Sequence, residues 1–215
     1  MSLVTTHEGV STPLSRGNIQ ARLRMMYLYN LASIHKGIVI DTDNLTEHNL
    51  GYFTIHGDVG DFNPIGGLWK TEVFGLAAWI ISDYYKQCTF NDPKKDSPIF
   101  TKIHALTESF KLKPTAGLGI TNNDLEELGA ESYEQVDSIL QEILAWKNLA
   151  KERGDLPESL SEQKEMFLDE QQMLNTPIEI IVNIVNRHFA SEFKRKKLPI
   201  VINRHLFFNY ERNNK

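Results

Sequence analysis

Only one cysteine, Cys88, occurs in the 215 residues. That excludes an internal disulfide framework and a multi-cysteine zinc site, and it fits a reducing compartment. Basic charge is also short: 23 Lys and Arg stand against 28 Asp and Glu, a formal charge of −5. A general nucleic-acid binder carries the opposite balance, so that class is set aside. Long apolar runs are missing as well. The longest, Val73 to Ser82, is about half of what a bilayer span needs. The first sixteen residues carry His7 and Glu8 but no apolar segment of the secretory kind. The seven histidines show no metal-ligand spacing. These absences lead us to expect a cytoplasmic protein without a membrane role.

What is present is the balance of a globular chain, 41% hydrophobic and 24% charged, with room for one good-sized domain over 1–215. Pro13 and Gly17 suggest an opening loop, after which Asn18 can cap a helix to about Ser33, with Ile19, Met26, Tyr29 and Asn30 near one face. Gly37-Ile-Val-Ile-Asp41 is short, β-branched and bounded by turn residues, the pattern of a buried parallel strand. Residues 51–67, rich in Gly, Asp and aromatics, read as an irregular and functional segment. A helix is expected over 70–86 with Val73, Leu76, Ala77, Ile80 and Ile81 inward, and a shorter one over 100–111. Ser132 and Gln135 suggest a capping box before Val136, Ile139, Leu140, Ile143 and Leu144. Residues 147–175 are charged and expected to form a solvated helical insertion. Thr176-Pro177-Ile-Glu179 opens a last helix with Ile178, Ile181, Val182, Val185 and Phe189 inward. The basic run Lys194–Lys197 reads as a solvated face. One strand cannot make a sheet, so partner strands are expected from outside this reading.

Four segments carry more than secondary structure. They are Arg16-Gly-Asn18-Ile-Gln-Ala-Arg22-Leu-Arg24-Met-Met-Tyr-Leu-Tyr29; Gly37-Ile-Val-Ile-Asp41-Thr42-Asp43-Asn44-Leu-Thr-Glu47-His-Asn-Leu-Gly51-Tyr-Phe53-Thr54; His56-Gly57-Asp58-Val-Gly60-Asp61-Phe-Asn-Pro64-Ile-Gly-Gly-Leu68-Trp-Lys70; and Lys113-Pro-Thr115-Ala116, followed by Glu127-Leu-Gly129 and Glu192-Phe-Lys194-Arg195. In this order, over nearly the whole chain, they resemble the ammonia-dependent NAD synthetases.

The resemblance implies an adenine-nucleotide-alpha-hydrolase-like, Rossmann-like α/β fold: a parallel sheet with helices on both faces, here helix-rich and incomplete, in a homodimer. It implies ATP-dependent amidation of deamido-NAD to NAD through an adenylated carboxylate, with ATP as substrate and Mg2+ as cofactor. A carboxylate becomes an adequate electrophile only when its oxygen is made a leaving group, which requires cations around the triphosphate. By motif, Thr42, Lys70 and Thr115 would meet ATP phosphates, and Glu47 would hold magnesium. Asp58 and Lys70 would be catalytic, Asp58 orienting ammonia or taking its proton. Asn18, Arg22, Arg24, Tyr29 and Asp61 would line the deamido-NAD site. In parallel sheets ligands bind beyond the carboxyl ends of strands, which agrees with Thr42 following Asp41.

The family's Ser-Gly-Gly-x-Asp-Ser loop, whose backbone N–H groups cradle phosphate, is not among these 215 residues. The resemblance therefore also implies a partner segment, on this or another polypeptide, that carries this N-terminal half. Asp41 stands where the family has Gly, Ile55 where it has Lys, Val59 where it has Gly, Gly117 where it has Asp and Phe193 where it has His. A non-catalytic dimeric relative that binds deamido-NAD or NAD is the alternative reading.

Overall fold

The computed structural model describes residues 12–91, 98–110, 112, 123–170, 176–196 and 200–201. Thr115 and Gly117 lie outside the described residues, as do 171–175 of the charged stretch.

The first helix, α1 (Pro13–His35), starts five residues before the expected cap. Thr12 is the N-cap, its side chain accepting from Ser15 N, and Pro13 stands in the first turn. Proline suits that position because its missing N–H would have no helical partner there. The expected apolar face is not the buried one. Gly17, Ala21 and Met25 are buried, while Met26 is 66% exposed and Tyr29 is also exposed. Gly17 and Ala21, small and four apart, let the helix approach its neighbour closely, with Met25 the one large residue buried on that face.

The Gly37–Asp41 run is extended but contributes a single parallel bridge, Ile40 to Phe62. It is held by Asp41 N to Phe62 O and Asp61 N to Val39 O, both 2.8 Å. β1 (Phe62–Asn63) in turn pairs in parallel with β2 (Ile200–Val201). The expected strand is thus one residue of regular ladder, at the edge of a small parallel assembly.

α2 (Leu45–Leu50) was not foreseen. Asn44 and Glu47 close a capping box around it, and Gly51, at φ +67°, ends it. A side chain at Gly51 would also strike Ser191, whose Cβ lies 2.3 Å from where its own would be, so this glycine is required twice over. After an irregular stretch come α3 (Lys70–Asn91) and α4 (Pro98–Phe110). The stripe expected inward on α3 is not buried: Leu76 is exposed, and Val73, Ala77, Ile80 and Ile81 are half-buried. The described neighbours cover only part of the helix, and Trp79 is 63% exposed.

The core lies mainly in the second half of the chain, built by α5 (Asp124–Leu128), α6 (Tyr133–Arg153), α7 (Leu160–Glu170) and α8 (Ile178–Ala190), with Leu50 and Trp69 added from the first half; the single turn α9 (Glu192–Arg195) follows α8 and buries no residue. Val136, Ile139, Leu140 and Ile143 of α6 follow the expected period and are buried, with Leu144 half-buried. Ser132 caps α6 by accepting from Gln135 N, but the Gln135 side chain accepts from Glu131 N rather than closing the box. On α8 the buried residues are Ile180, Ile181, Ile184, Val185, His188 and Phe189, whereas Ile178 is exposed. The α8 cap is Pro177 without a side-chain bond, not Thr176. Within the charged stretch expected to be solvated, Phe167 is fully buried against Trp146, and Trp146 Nε1 donates to Glu170.

Candidate functional site

The turn between Ile40 and α2, the loop 51–69 and the first turn of α3 converge on one surface. The Gly37–Asp41 run delivers Thr42, exposed, at its carboxyl end. Immediately after it, the α2 capping box fixes Glu47. Glu47 Oε2 accepts from Asn44 N at 2.8 Å and Asn44 Nδ2 at 2.6 Å. Its other oxygen, Oε1, takes Lys70 Nζ at 2.7 Å. Lys70 opens α3, where its backbone N–H donates to Thr46 Oγ1 at 2.8 Å. Its ammonium also lies over the rings of Tyr133 and Phe74, and such faces favour a cation.

Behind this pair stands a residue that local patterning does not reveal. Asp137, buried on α6, accepts from Thr46 Oγ1, from Thr71 N at 3.0 Å and from Thr71 Oγ1 at 2.8 Å. One carboxylate therefore clamps the neighbour of Glu47 and the neighbour of Lys70. Burial pushes Asp137 up, while these three bonds pull it back toward the ionised form. The only signal in the sequence is an acidic residue one position after a core residue of an otherwise apolar helix face.

A second group ties α1 to the loop. Asn18 Oδ1 accepts from Thr54 Oγ1 at 2.7 Å, and Arg22 Nε donates to Ile55 O at 3.2 Å. Arg24 lies 3.8 Å from Asp58, whose other oxygen accepts from Thr54 N. Tyr29 donates its hydroxyl to Asp61 Oδ1 at 3.0 Å, and Asp61 Oδ2 accepts from Val39 N at the same distance. The close approach is made possible by Gly57: a Cβ there would meet Thr54 at 2.7 Å and Ala21 at 2.9 Å. Burial first, then the bond to Asp61, raises the Tyr29 hydroxyl above its ordinary range.

The two groups meet at Asp43. Burial pushes its carboxyl up to about 8, with Asp41, Glu47 and Asp58 adding repulsion and Lys70 opposing it. Asp41 is fully buried, with its oxygens accepting from Asp43 N at 2.8 Å and Gly60 N at 3.3 Å. Farther along, Lys194 and Arg195 are not a solvated face. Lys194 Nζ donates to Gly51 O and Phe53 O, and Arg195 donates to Asn49 O, so both cations satisfy carbonyls at and just beyond the end of α2. Phe193 is exposed.

Ten of the eleven sequence-singled residues fall among the described ones if Asp41 is counted with them, and Thr115 does not. The structure brings Glu47 and Lys70 together, and brings Asn18, Arg22, Arg24, Tyr29, Asp58 and Asp61 around the loop. Thr42 is exposed and lies in the chain between the Gly37–Asp41 run and α2.

Comparison with known proteins bears on this geometry. The family model "NAD synthase" matches residues 2–198. The chain belongs to the NAD synthase family. It is 35% identical over 192 residues to the NH(3)-dependent NAD(+) synthetase of Methanosarcina acetivorans, covering 88% of this chain and 58% of that protein. It is 33% identical over 190 residues to the Helicobacter pylori protein of the same name, again 88% and 58%. Among solved structures, NMN synthetase from Francisella tularensis superposes with a TM-score of 0.51 at 29% identity, over 88% of this chain and 57% of that one. The fold is the adenine-nucleotide-alpha-hydrolase-like fold of NAD synthetases, helix-rich and with little sheet, as an incomplete domain would be. The chain spans less than two thirds of the length of these relatives. No described helix is long and apolar enough to cross a membrane.

Proposed function

We propose that this chain forms the dinucleotide and phosphate-facing wall of an ammonia-dependent NAD synthetase. In this reading amidation proceeds when a segment bearing a Ser-Gly-Gly-x-Asp-Ser loop, not among these 215 residues, supplies the opposite wall. The observation that carries it is the Lys70–Glu47 pair at 2.7 Å, with exposed Thr42 shortly before Glu47 in the chain and just past the parallel Ile40–Phe62 bridge. An ammonium presented this way is a point charge for a triphosphate. Glu47 Oε1 offers magnesium one hard oxygen, and the donor set fits that ion if Lys70 turns from Glu47 to the phosphates. When bound, magnesium supplies charge neutralisation on the departing pyrophosphate. Lys70, Thr42 and Thr115 would hold ATP phosphates. Asn18, Arg22, Arg24, Tyr29 and Asp61 would orient deamido-NAD so that its carboxylate faces the α-phosphate. Asp58, already positioned by Thr54 N, would orient ammonia or accept its proton in the displacement of AMP.

The same reading includes a homodimer seated on α1, where Leu23, Met26, Tyr27 and Ile34 are exposed, and a cytoplasmic location. A second reading, a non-catalytic dimeric protein that binds deamido-NAD or NAD, is favoured by one observation. Asp41 adds a buried carboxylate next to Thr42, where phosphate would meet like charge. Titration calorimetry separates the two. Binding of both deamido-NAD and Mg-ATP, the latter in the presence of the loop-bearing segment, supports the synthetase. Deamido-NAD binding alone supports the non-catalytic reading, and binding of neither contradicts both.

A further inference from the structure

Beneath Thr42 lies a cluster that the reading above does not use. Asp41, Asp43 and His48 each present a donor atom, and these atoms all lie within 4.8 Å of one another. Two of the three residues, Asp41 and His48, are buried in the core, the histidine 2% exposed. The donors come from both sides of the α2 capping box: the turn before it gives the aspartates, and the inner face of α2 gives the imidazole. The box fixes the angle between them.

We propose that Asp41, Asp43 and His48 bind a divalent transition-metal ion of the zinc class, distinct from any magnesium carried by the triphosphate. Asp43 Oδ2 is buried with no hydrogen-bond partner among the described residues, and a buried carboxylate oxygen without one is costly unless a cation completes it. The His48 ring is packed against Gly66, where an added Cβ would lie 3.0 Å from ring Cε1. Asn63 Nδ2 lies 3.4 Å from His48 Nε2, while it donates to Asp43 O at 2.7 Å. The longer contact is a weak hydrogen bond at most, and an ion on Nε2 would replace it. Asp41 spends one backbone contact on each oxygen, and a carboxylate oxygen has a second lone pair to offer. One imidazole with two carboxylates suits zinc, cobalt, manganese or iron, whereas magnesium prefers an all-oxygen shell. Water would complete the coordination. The ion would neutralise adjacent carboxylates and tie the end of the Gly37–Asp41 run to α2, and so fix Thr42 and Glu47.

The test is titration of the chain with zinc by calorimetry, and with cobalt by visible absorption, in the wild type and in Asp43→Asn, His48→Gln and the control Glu152→Gln. No substrate is needed, so failure of the synthetase reading leaves this result untouched. One ion per chain is expected, with affinity falling at least about tenfold in Asp43→Asn and His48→Gln and unchanged in Glu152→Gln, an exposed carboxylate on α6. Circular dichroism checks that each variant is folded. If one is not, the 15N shifts of the His48 ring in the unaltered chain on adding zinc decide the matter, and a shift is expected. Zinc binding unchanged in the folded variants, His48 resonances that do not move, or a wild type that takes up no zinc would each overturn the proposal.

Discussion

Lys70 Nζ lies 2.7 Å from Glu47 Oε1, with side-chain exposures of 11% and 20%. A largely dry ion pair is expensive to break from one side, because the remaining charge is left without compensation. In urea unfolding, Lys70→Met and Glu47→Gln should each destabilise. The double variant should lose less than their sum, with a coupling of about 1–2 kcal/mol. Additive effects would show that the pair is not formed in solution.

Asp137 accepts three bonds from Thr46 and Thr71. Asp137→Ala leaves all three donors unmet and should cost about 2–4 kcal/mol. Asp137→Asn, which keeps one acceptor oxygen, should cost less. Thermal unfolding of both variants measures the difference, and equal losses would count against the clamp.

How much of this was legible beforehand differs by element. The α6 period over Val136–Ile143 and the Ser132 cap are local signals, and both hold. The α1 boundary was misread because Pro13 looks like a break, although it stands in the first turn behind the Thr12 cap. The buried face of α1 does not stand out as an apolar stripe because two of its three residues, Gly17 and Ala21, are small. α2 has six residues, too few for a period, so only the Asn44–Glu47 spacing could have announced it. In the site, the motif residues around the loop were readable in order. Asp137 was not, because it meets Thr46 across 91 positions of sequence.

His188 is 1% exposed, and neither ring nitrogen has a hydrogen-bond partner among the described residues. Burial, then Arg195 and Lys147, holds its ring down to about 2. Asn49 O, which would favour the charged ring, already accepts from Ser191 and Arg195. The folded state therefore refuses a proton that the unfolded chain accepts near pH 6.5. As pH falls below that value the unfolded state binds more protons, and stability drops by up to about 1.4 kcal/mol per pH unit from this group. His188→Leu should remove that slope between roughly pH 6 and 4, read from urea midpoints. Parallel slopes in the two proteins would contradict the assignment.

Phe167 is fully buried in the core against Trp146. Phe167→Ala should cost about 3–5 kcal/mol in urea unfolding. A loss below about 1 kcal/mol would mean that α7 does not dock on the core in solution.

Exposed Met26 and Tyr27 on α1 are the seam of the proposed homodimer. Sedimentation should give a dimer that Met26→Lys with Tyr27→Lys converts to monomer. A monodisperse wild-type monomer would defeat the seam.

The account rests on Lys70 and Thr42 facing a triphosphate while α1 faces the dinucleotide. Its most direct measurement is NAD formation from deamido-NAD, ATP, Mg2+ and ammonia by the chain mixed with a Ser-Gly-Gly-x-Asp-Ser-bearing segment. Turnover in the mixture, reduced at least about a hundredfold by Lys70→Ala in a folded chain, is the predicted result. No NAD from the mixture, or turnover indifferent to Lys70, would contradict it.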